Sequence, residues 1–81
     1  MQSNKKTPIE WYVIEKVKKL RIEKNLSQSE LSYKLHLSHG FVGKVESKNL
    51  VTKYNLNHLN KLSIALGCSP QFFLPQQPIN E

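Results

Sequence analysis

The stretch that decides the fold is residues 26–47, LSQSELSYKLHLSHGFVGKVES. Its Ser-Gln-Ser-Glu run is a capping box, because the Ser27 hydroxyl can accept from the amide of Glu30 while the Glu30 carboxylate accepts from the amide of Ser27. Leu31 and Leu35 are four residues apart and give the helix that starts here one apolar side. The sequence therefore predicts a short amphipathic helix beginning at Ser27.

A second helix is predicted only three residues after the first. Ser38 can act as its N-cap, and Val42 and Val45 form its buried pair. Leu37 lies between the two helices and is expected to fill the angle between them. Because a connection this short makes the helices cross steeply, as in a helix-turn-helix, one face of the second helix is left exposed.

The exposed face of this second helix indicates the function. Helical spacing puts a polar, small and basic set of residues on it: His39, Gly40, Gly43, Lys44 and Ser47. A glycine costs a helix roughly 0.5 to 1 kcal/mol relative to alanine, so the two glycines need an explanation. We interpret them as removing bulk so that the helix approaches a DNA groove closely. The alternative is that they relieve crowding against another helix.

Together with their flanking segments, these motifs resemble the lambda-repressor and Cro type of helix-turn-helix, also called XRE-type. The resemblance covers roughly residues 14–73. KKLRIEKNLSQSEL is similar to the family's first helix and its entry into the second, and NLNHLNKLSIALGCSPQFF is similar to its fourth helix and the start of its fifth. The resemblance implies an all-α bundle of about five short helices that binds double-stranded DNA.

The resemblance also implies roles for single residues. Gln28 matches a glutamine with which the family grips DNA phosphate. Arg21 and Glu46 match an arginine late in the first helix and a glutamate ending the third, which commonly pair. His36 stands where the family usually has a turn glycine, so it would need a left-handed backbone. Residues 47–54, SKNLVTKY, form a connection about two residues longer than the usual one and lack its proline.

Length and composition fit one small domain. The chain has 81 residues, of which 38% are hydrophobic. End signals predict helices starting at the TPIE run of residues 7–10, at Asn55 and at the Ser-Pro pair of residues 69–70. We expect residues 7–74 to form the DNA-binding domain, with residues 1–6 and 75–81 as flexible ends.

The charge of the chain favours a polyanionic partner. Lys and Arg number 12 against 6 acids, which gives a formal net charge of +6. A lysine-rich surface is as often simply solvated, so the charge supports DNA binding only together with the helix-turn-helix motif.

The predicted mechanism is sequence-specific binding of double-stranded DNA, with residues 38–47 entering the major groove. Base contacts are expected from His39, Gly40, Phe41, Gly43 and Lys44. Phosphate contacts, which set the register, are expected from Gln28, Ser38, Ser47, Lys48, Asn49 and Lys53. For Phe41, the alternative is an ordinary packed side chain.

Self-association is a further expectation, because repressors of this type bind two half-sites as a two-fold dimer. Phe72 and Phe73 are the candidates for the dimer interface, although the aromatic residues near both ends of the chain could instead complete the core. A small transcriptional repressor is the favoured function. The same fold would also suit an antitoxin that binds a toxin protein, or a protein-interaction adaptor that has lost DNA binding.

Other chemistry has little support in the sequence. Cys68 is the only cysteine, so it cannot form an intramolecular disulfide and is expected to be a core thiol. His36 and His39 lack the neighbours of a zinc site, His58 is expected to be a solvated polar residue, and no nucleophile has an evident base. We expect no enzyme activity, metal or cofactor. Without a signal-peptide pattern or a membrane-length apolar run, we expect a cytoplasmic protein of bacterial or phage origin.

Overall fold

The computed structural model describes residues 5–81, whose helices begin and end largely at the signals in the sequence. Four α-helices and a final 3₁₀ helix follow one another along the chain. They are α1 (Pro8–Glu23), α2 (Gln28–Lys34), α3 (Phe41–Glu46), α4 (Leu56–Leu66) and the 3₁₀ helix Pro70–Phe73. Residues 5–81 contain no strand. The all-α prediction is confirmed, with the fifth helix being a single 3₁₀ turn.

The predicted capping boxes are present at the starts of α1 and α2. The Thr7 hydroxyl accepts from the amide of Glu10 at 3.3 Å, and the Glu10 carboxylate accepts from the amide of Thr7 at 2.8 Å. The corresponding distances for Ser27 and Glu30 are 3.0 and 2.7 Å. Because these amides have no partner within the helix, the boxes fix where each helix begins.

Helix α4 starts with a capping box closed by a histidine. The Asn55 side chain accepts from the amide of His58 at 2.8 Å, and His58 Nδ1 accepts from the amide of Asn55 at 3.0 Å. The ring can accept this bond only while Nδ1 carries no proton. Our expectation of a solvated polar residue was wrong, because His58 is half-buried and helps to start α4.

Helix α3 begins later than the sequence predicts. Its N-cap is Gly40, not Ser38, and no side chain caps it. The Ser38 carbonyl instead accepts from the amide of Phe41 at 3.0 Å, which closes a turn ahead of the helix. His39 and Gly40 therefore lie in this turn, and Gly43 is the one glycine within α3.

Left-handed residues reverse the chain after three of the helices. Asn25 after α1 and His36 after α2 each have a φ of 59°, and Gly67 after α4 has a φ of 74°. Such a residue lets the following amide reach back to a terminal helix carbonyl, as the amide of Leu37 does to Ser32 at 3.1 Å. His36 thus adopts the conformation predicted for it.

The core lies where the four helices and the 3₁₀ helix meet. It is a cluster of buried apolar side chains from all five: Val13, Val17, Leu31, Leu35, Val42, Leu59, Leu62, Leu66 and Phe73. Leu37 packs against this cluster from between α2 and α3, as predicted. Phe73 is fully buried, so its assignment to a dimer surface was wrong; Phe72, its neighbour, is 45% exposed.

Ser32 joins α2 to α3. Its fully buried hydroxyl donates to the carbonyl of Gln28 at 2.9 Å and accepts from the amide of Val42 at 3.0 Å. The amide of Val42 lies in the first turn of α3, where no partner exists within the helix. One hydroxyl therefore fixes the start of α3 against α2.

Within the two end segments predicted to be flexible, some described residues are buried or half-buried. The part of that prediction that concerns residues 1–4 lies outside the described residues. Lys6 is buried, and its Nζ donates to the carbonyls of Val45 and Ser47 at the end of α3. At the other end, Pro75 and Ile79 are half-buried. The folded unit thus extends to Lys6, because terminal helix carbonyls offer its ammonium acceptors.

The ion pair between α1 and the end of α3 is present and buried. Arg21 Nη2 lies 3.0 Å from Glu46 Oε1, and Arg21 Nε donates to Glu46 Oε2 at 3.1 Å. The two side chains are 9% and 4% exposed. Arg21 Nη1 also donates to the carbonyl of Leu26 at 2.8 Å. One guanidinium therefore connects α1, the chain leading into α2, and the last residue of α3.

Replacing Arg21 with alanine should lower the free energy of unfolding by about 3 to 5 kcal/mol, because the Glu46 carboxylate would be left buried without its partner. Urea denaturation followed by circular dichroism measures the change. Arg21→Lys is the matched control: it keeps the charge but loses the two-pronged geometry, so its loss should be smaller. An unchanged urea midpoint for Arg21→Ala would contradict the role given to this pair.

Candidate nucleic-acid interface

The exposed surface around α3 comprises the turn before the helix, one side of the helix and the turn after it. We call this the α3 surface. Its exposed residues are Ser38, His39, Gly40, Lys44, Lys48 and Asn49. Gly43 and Ser47 are half-buried at its edge. These eight predicted DNA-contact residues thus lie exposed or half-buried within residues 38–49.

Two lysines give the α3 surface its positive charge. Lys44 lies on α3 and Lys48 in the turn that follows, and both are exposed. The ion pairs found between described residues are Arg21–Glu46 and Lys53–Glu10, and neither involves these two lysines. Their ammonium groups are therefore available to an anion approaching this side.

Gln28 lies beside α3, held by the end of that helix. Its Nε2 donates to Glu46 Oε1 at 2.8 Å, the same oxygen that receives Arg21 Nη2. Gln28 is nevertheless exposed, and its amide nitrogen has a second hydrogen to donate. The buried ion pair therefore orients the side chain for which the family resemblance implies a phosphate contact.

The two glycines have different surroundings. A Cβ built on Gly43 would lie 3.1 Å from Gln28 Oε1, closer than side chains normally pack, whereas a Cβ on Gly40 would meet nothing within 4 Å. Crowding between helices, the alternative interpretation, therefore applies to Gly43. For Gly40 only the space in front of the α3 surface would be filled, and close approach to DNA stays a prediction.

Replacing Gly43 with alanine should raise the free energy of unfolding by about 0.5 kcal/mol, because alanine favours the helix and the crowded Gln28 side chain is flexible enough to shift. The side-chain amide signals of Gln28 in an NMR spectrum should move as its bond to Glu46 is disturbed.

Gly40→Ala is the control for the Gly43 variant, since it has no neighbour to displace and should leave the Gln28 signals in place. A Gly43→Ala protein that is less stable than the wild type, with unmoved Gln28 signals, would contradict this account of the packing.

Phe41 faces the protein interior, as in the alternative interpretation of this residue. Its ring centroid lies 4.8 Å from that of His58 and 6.0 Å from that of Tyr54, and the side chain packs against the core. This half-buried packing supports the alternative interpretation of Phe41 as an ordinary packed side chain, while a base contact by Phe41 stays a prediction. The three rings together hold α3 against the start of α4.

Burial shifts the pKa values of two members of this aromatic cluster, Tyr54 and His58. It raises the pKa of Tyr54, whose hydroxyl is buried and has no hydrogen-bond partner among the described residues. It also lowers the pKa of His58, an effect to which the nearby charge of Lys61 adds. Both groups are therefore held neutral, which is the state in which His58 Nδ1 can accept the Asn55 amide.

Stability should decrease as the pH falls through the titration of His58. Since the pKa of this ring is lower in the folded than in the unfolded protein, the folded state binds fewer protons. The stabilisation is complete at neutral pH and is lost below about pH 6.5. The Tm of the wild type, measured by circular dichroism, should therefore fall more between pH 7 and pH 5 than that of His58→Gln, whose amide closes the same capping box without titrating. Equal falls in the two proteins would remove His58 as the cause.

Lys53 is held within the protein. Its Nζ lies 2.9 Å from Glu10 Oε2, with side chains that are 38% and 25% exposed. The pair connects the long segment before α4 to the first turn of α1. The Lys53 ammonium has further N–H donors and is partly exposed, so a phosphate contact by Lys53 stays a prediction.

Among the described residues, no three His, Cys, Asp or Glu are arranged to hold a metal ion, and no helix combines the length and apolar character that a membrane span needs. Cys68 is half-buried against the core, and burial raises the pKa of its thiol.

Comparison with known families identifies the segment that contains α2 and α3. A helix-turn-helix family model, HTH_3, matches residues 17–73, which contain α2, α3 and α4 in full. The chain belongs to the lambda-repressor-like (XRE) helix-turn-helix family. No curated protein and no solved structure matches it. Members of this family bind DNA, so this protein is a DNA-binding regulator of the XRE type.

Proposed function

We propose that this XRE-type protein is a repressor that binds specific sequences in double-stranded DNA, with the α3 surface in the major groove. The observation that carries the proposal is the exposure of two lysines that are free of ion pairs within residues 5–81, Lys44 on α3 and Lys48 in the turn after it. The helix itself is fixed through Arg21 and Ser32. A rigid helix with an exposed basic side meets the requirements of major-groove binding.

Base readout is proposed for the residues that lead into and occupy the outer side of α3. In docked helix-turn-helix proteins, the beginning of the recognition helix points at base edges. His39 and Gly40 lie in the turn at that end, and Lys44 is exposed one turn later. The Lys44 ammonium suits the O6 and N7 acceptors of guanine, while Gly40 keeps the approach free of bulk.

Phosphate contacts are proposed for residues on either side of the base-reading set. They are Gln28, Ser38, Ser47, Lys48 and Asn49. The Ser47 hydroxyl accepts from the amide of Asn49 at 3.1 Å, which shapes the turn that carries Lys48. Contacts of this kind fix the register of a protein on the duplex without reading its sequence.

A homodimer is part of the proposal, because a two-fold pair would place two α3 surfaces on successive major grooves of a palindromic site. Phe72 and Leu74, 45% and 41% exposed, are the candidates for the contact between subunits. Occupation of such a site near a promoter would exclude other proteins from it and so repress transcription.

Two lysine variants test the division between base readout and phosphate contact. Binding sites are first selected from random duplexes, and dissociation constants are then measured for single-base variants over a range of salt concentrations. Lys44→Ala should lose about 1 to 3 kcal/mol of binding free energy selectively at one base position. Lys48→Ala should weaken binding to every sequence and reduce the salt slope by about 1.

Lys19→Ala is the control for both variants, because Lys19 is an exposed lysine on α1 and lies outside the α3 surface. Its affinity and salt slope should equal those of the wild type. Equal losses on every sequence for Lys44→Ala and Lys48→Ala would refute the division of roles. A wild-type protein that prefers no duplex over another would refute the proposed function.

A further inference from the structure

We propose that Lys6 is a positioning residue for DNA binding. It holds the end of α3 and the following turn in place without touching DNA itself. This inference rests on the proposed function, because the segment that Lys6 holds carries three of the proposed phosphate contacts, Ser47, Lys48 and Asn49.

The Lys6 ammonium lies at the end of α3. Its Nζ donates to the carbonyl of Val45 and, at 2.6 Å, to the carbonyl of Ser47. The last carbonyls of a helix have no N–H partner within the helix. This applies to most of α3, which has only six residues. The ammonium also carries the charge that suits the negative end of a helix. Lys6 thus donates to carbonyls that have no N–H partner within α3.

Lys6 is buried, unlike a lysine that contacts phosphate. The residue is 9% exposed, although a charged lysine is seldom buried without partners. Two carbonyls and the face of Trp11, whose ring centroid lies 4.8 Å from Nζ, take the place of water. Lys6 is therefore committed to contacts within the protein, unlike the exposed lysines of the α3 surface.

Lys6 is connected to the turn after α3 through Ser47. Ser47 is the C-cap residue, where the backbone becomes extended with a φ of −75° and a ψ of 137°. Its carbonyl accepts from Lys6 and its hydroxyl accepts from the amide of Asn49. The direction in which Lys48 and Asn49 leave α3 is thus set at a residue that Lys6 holds.

Lys5 provides a matched control within the same segment. It carries the same charge, precedes Lys6 directly and is exposed. With Lys6, Trp11 and Lys48 it lines one surface cavity. Removal of the charge at Lys5 therefore tests the electrostatic effect of this segment, while the contacts of Lys6 with α3 stay intact.

The experiment compares Lys6→Met with Lys5→Met and the wild type on a selected duplex over a range of salt concentrations. Methionine keeps the length of the apolar stem and removes the ammonium. We expect Lys6→Met to weaken specific binding about tenfold, within the range that the loss of one buried contact produces, with an unchanged salt slope. Lys5→Met should keep the preference for the selected duplex over other sequences.

A second measurement uses the free protein. Amide hydrogen exchange at the end of α3 and in the turn, residues 45–49, should be faster in Lys6→Met than in the wild type and unchanged in Lys5→Met. All assays are run below the melting temperature determined for each variant. If Lys6→Met does not fold, Lys6→Gln, which keeps one N–H donor group on a shorter neutral side chain, takes its place and should show the same two effects.

Two results would overturn the inference. A salt slope reduced by about 1 with unchanged exchange would make Lys6 a phosphate contact. Unchanged affinity would show that its bonds to α3 do not matter for binding. If the wild type itself prefers no duplex, the proposed function fails, and hydrogen exchange still decides separately whether Lys6 holds the end of α3.

Discussion

The buried ion pair between Arg21 and Glu46 is the contact on which the geometry of the α3 surface depends. A helix of six residues is far too short to be stable alone, so its position must be imposed by its neighbours. The pair imposes it with two parallel hydrogen bonds from α1, while the third nitrogen of the guanidinium binds the carbonyl of Leu26. A buried ion pair adds little net stability compared with apolar packing, but it is costly to break. Its main effect is therefore to specify where α3 lies.

The Arg21–Glu46 pair also positions a residue on the protein surface, through the carboxylate of Glu46. Glu46 accepts from the buried guanidinium and from the exposed amide of Gln28. At the opposite end of α3, the Ser32 hydroxyl receives the amide of Val42. Both ends of the helix are thus held by side chains from other parts of the chain, in addition to the core packing of Val42 and Val45.

Features that depend on neighbouring residues could be predicted from the sequence, and those that depend on distant ones could not. The capping boxes at Thr7 and Ser27 involve residues three positions apart, so a short pattern reveals them. The Arg21–Glu46 pair came from the family resemblance. By contrast, Lys6 meets acceptors 39 and 41 residues away, and no local pattern indicates them. Phe73 could not be assigned to the core or the surface without the packing around it.

The errors at α3 have local physical causes. A serine before an apolar pair is a good N-cap signal, but here the Ser38 carbonyl closes a turn and the helix begins after Gly40. The box at His58 was missed because the usual closing residues are glutamate and glutamine. Had imidazole been considered as an acceptor three residues after Asn55, the sequence would have indicated it.

Because α3 is held at its inner side and at both ends, its position does not depend on its outward-facing side chains. The side chains of outward-facing residues such as His39 and Lys44 take no part in the hydrogen bonds that fix the helix. If these residues read DNA as proposed, exchanging them would alter what is recognised while the scaffold stays folded. Selectivity and foldability would then be separate properties of this small domain, and recognition could change one residue at a time.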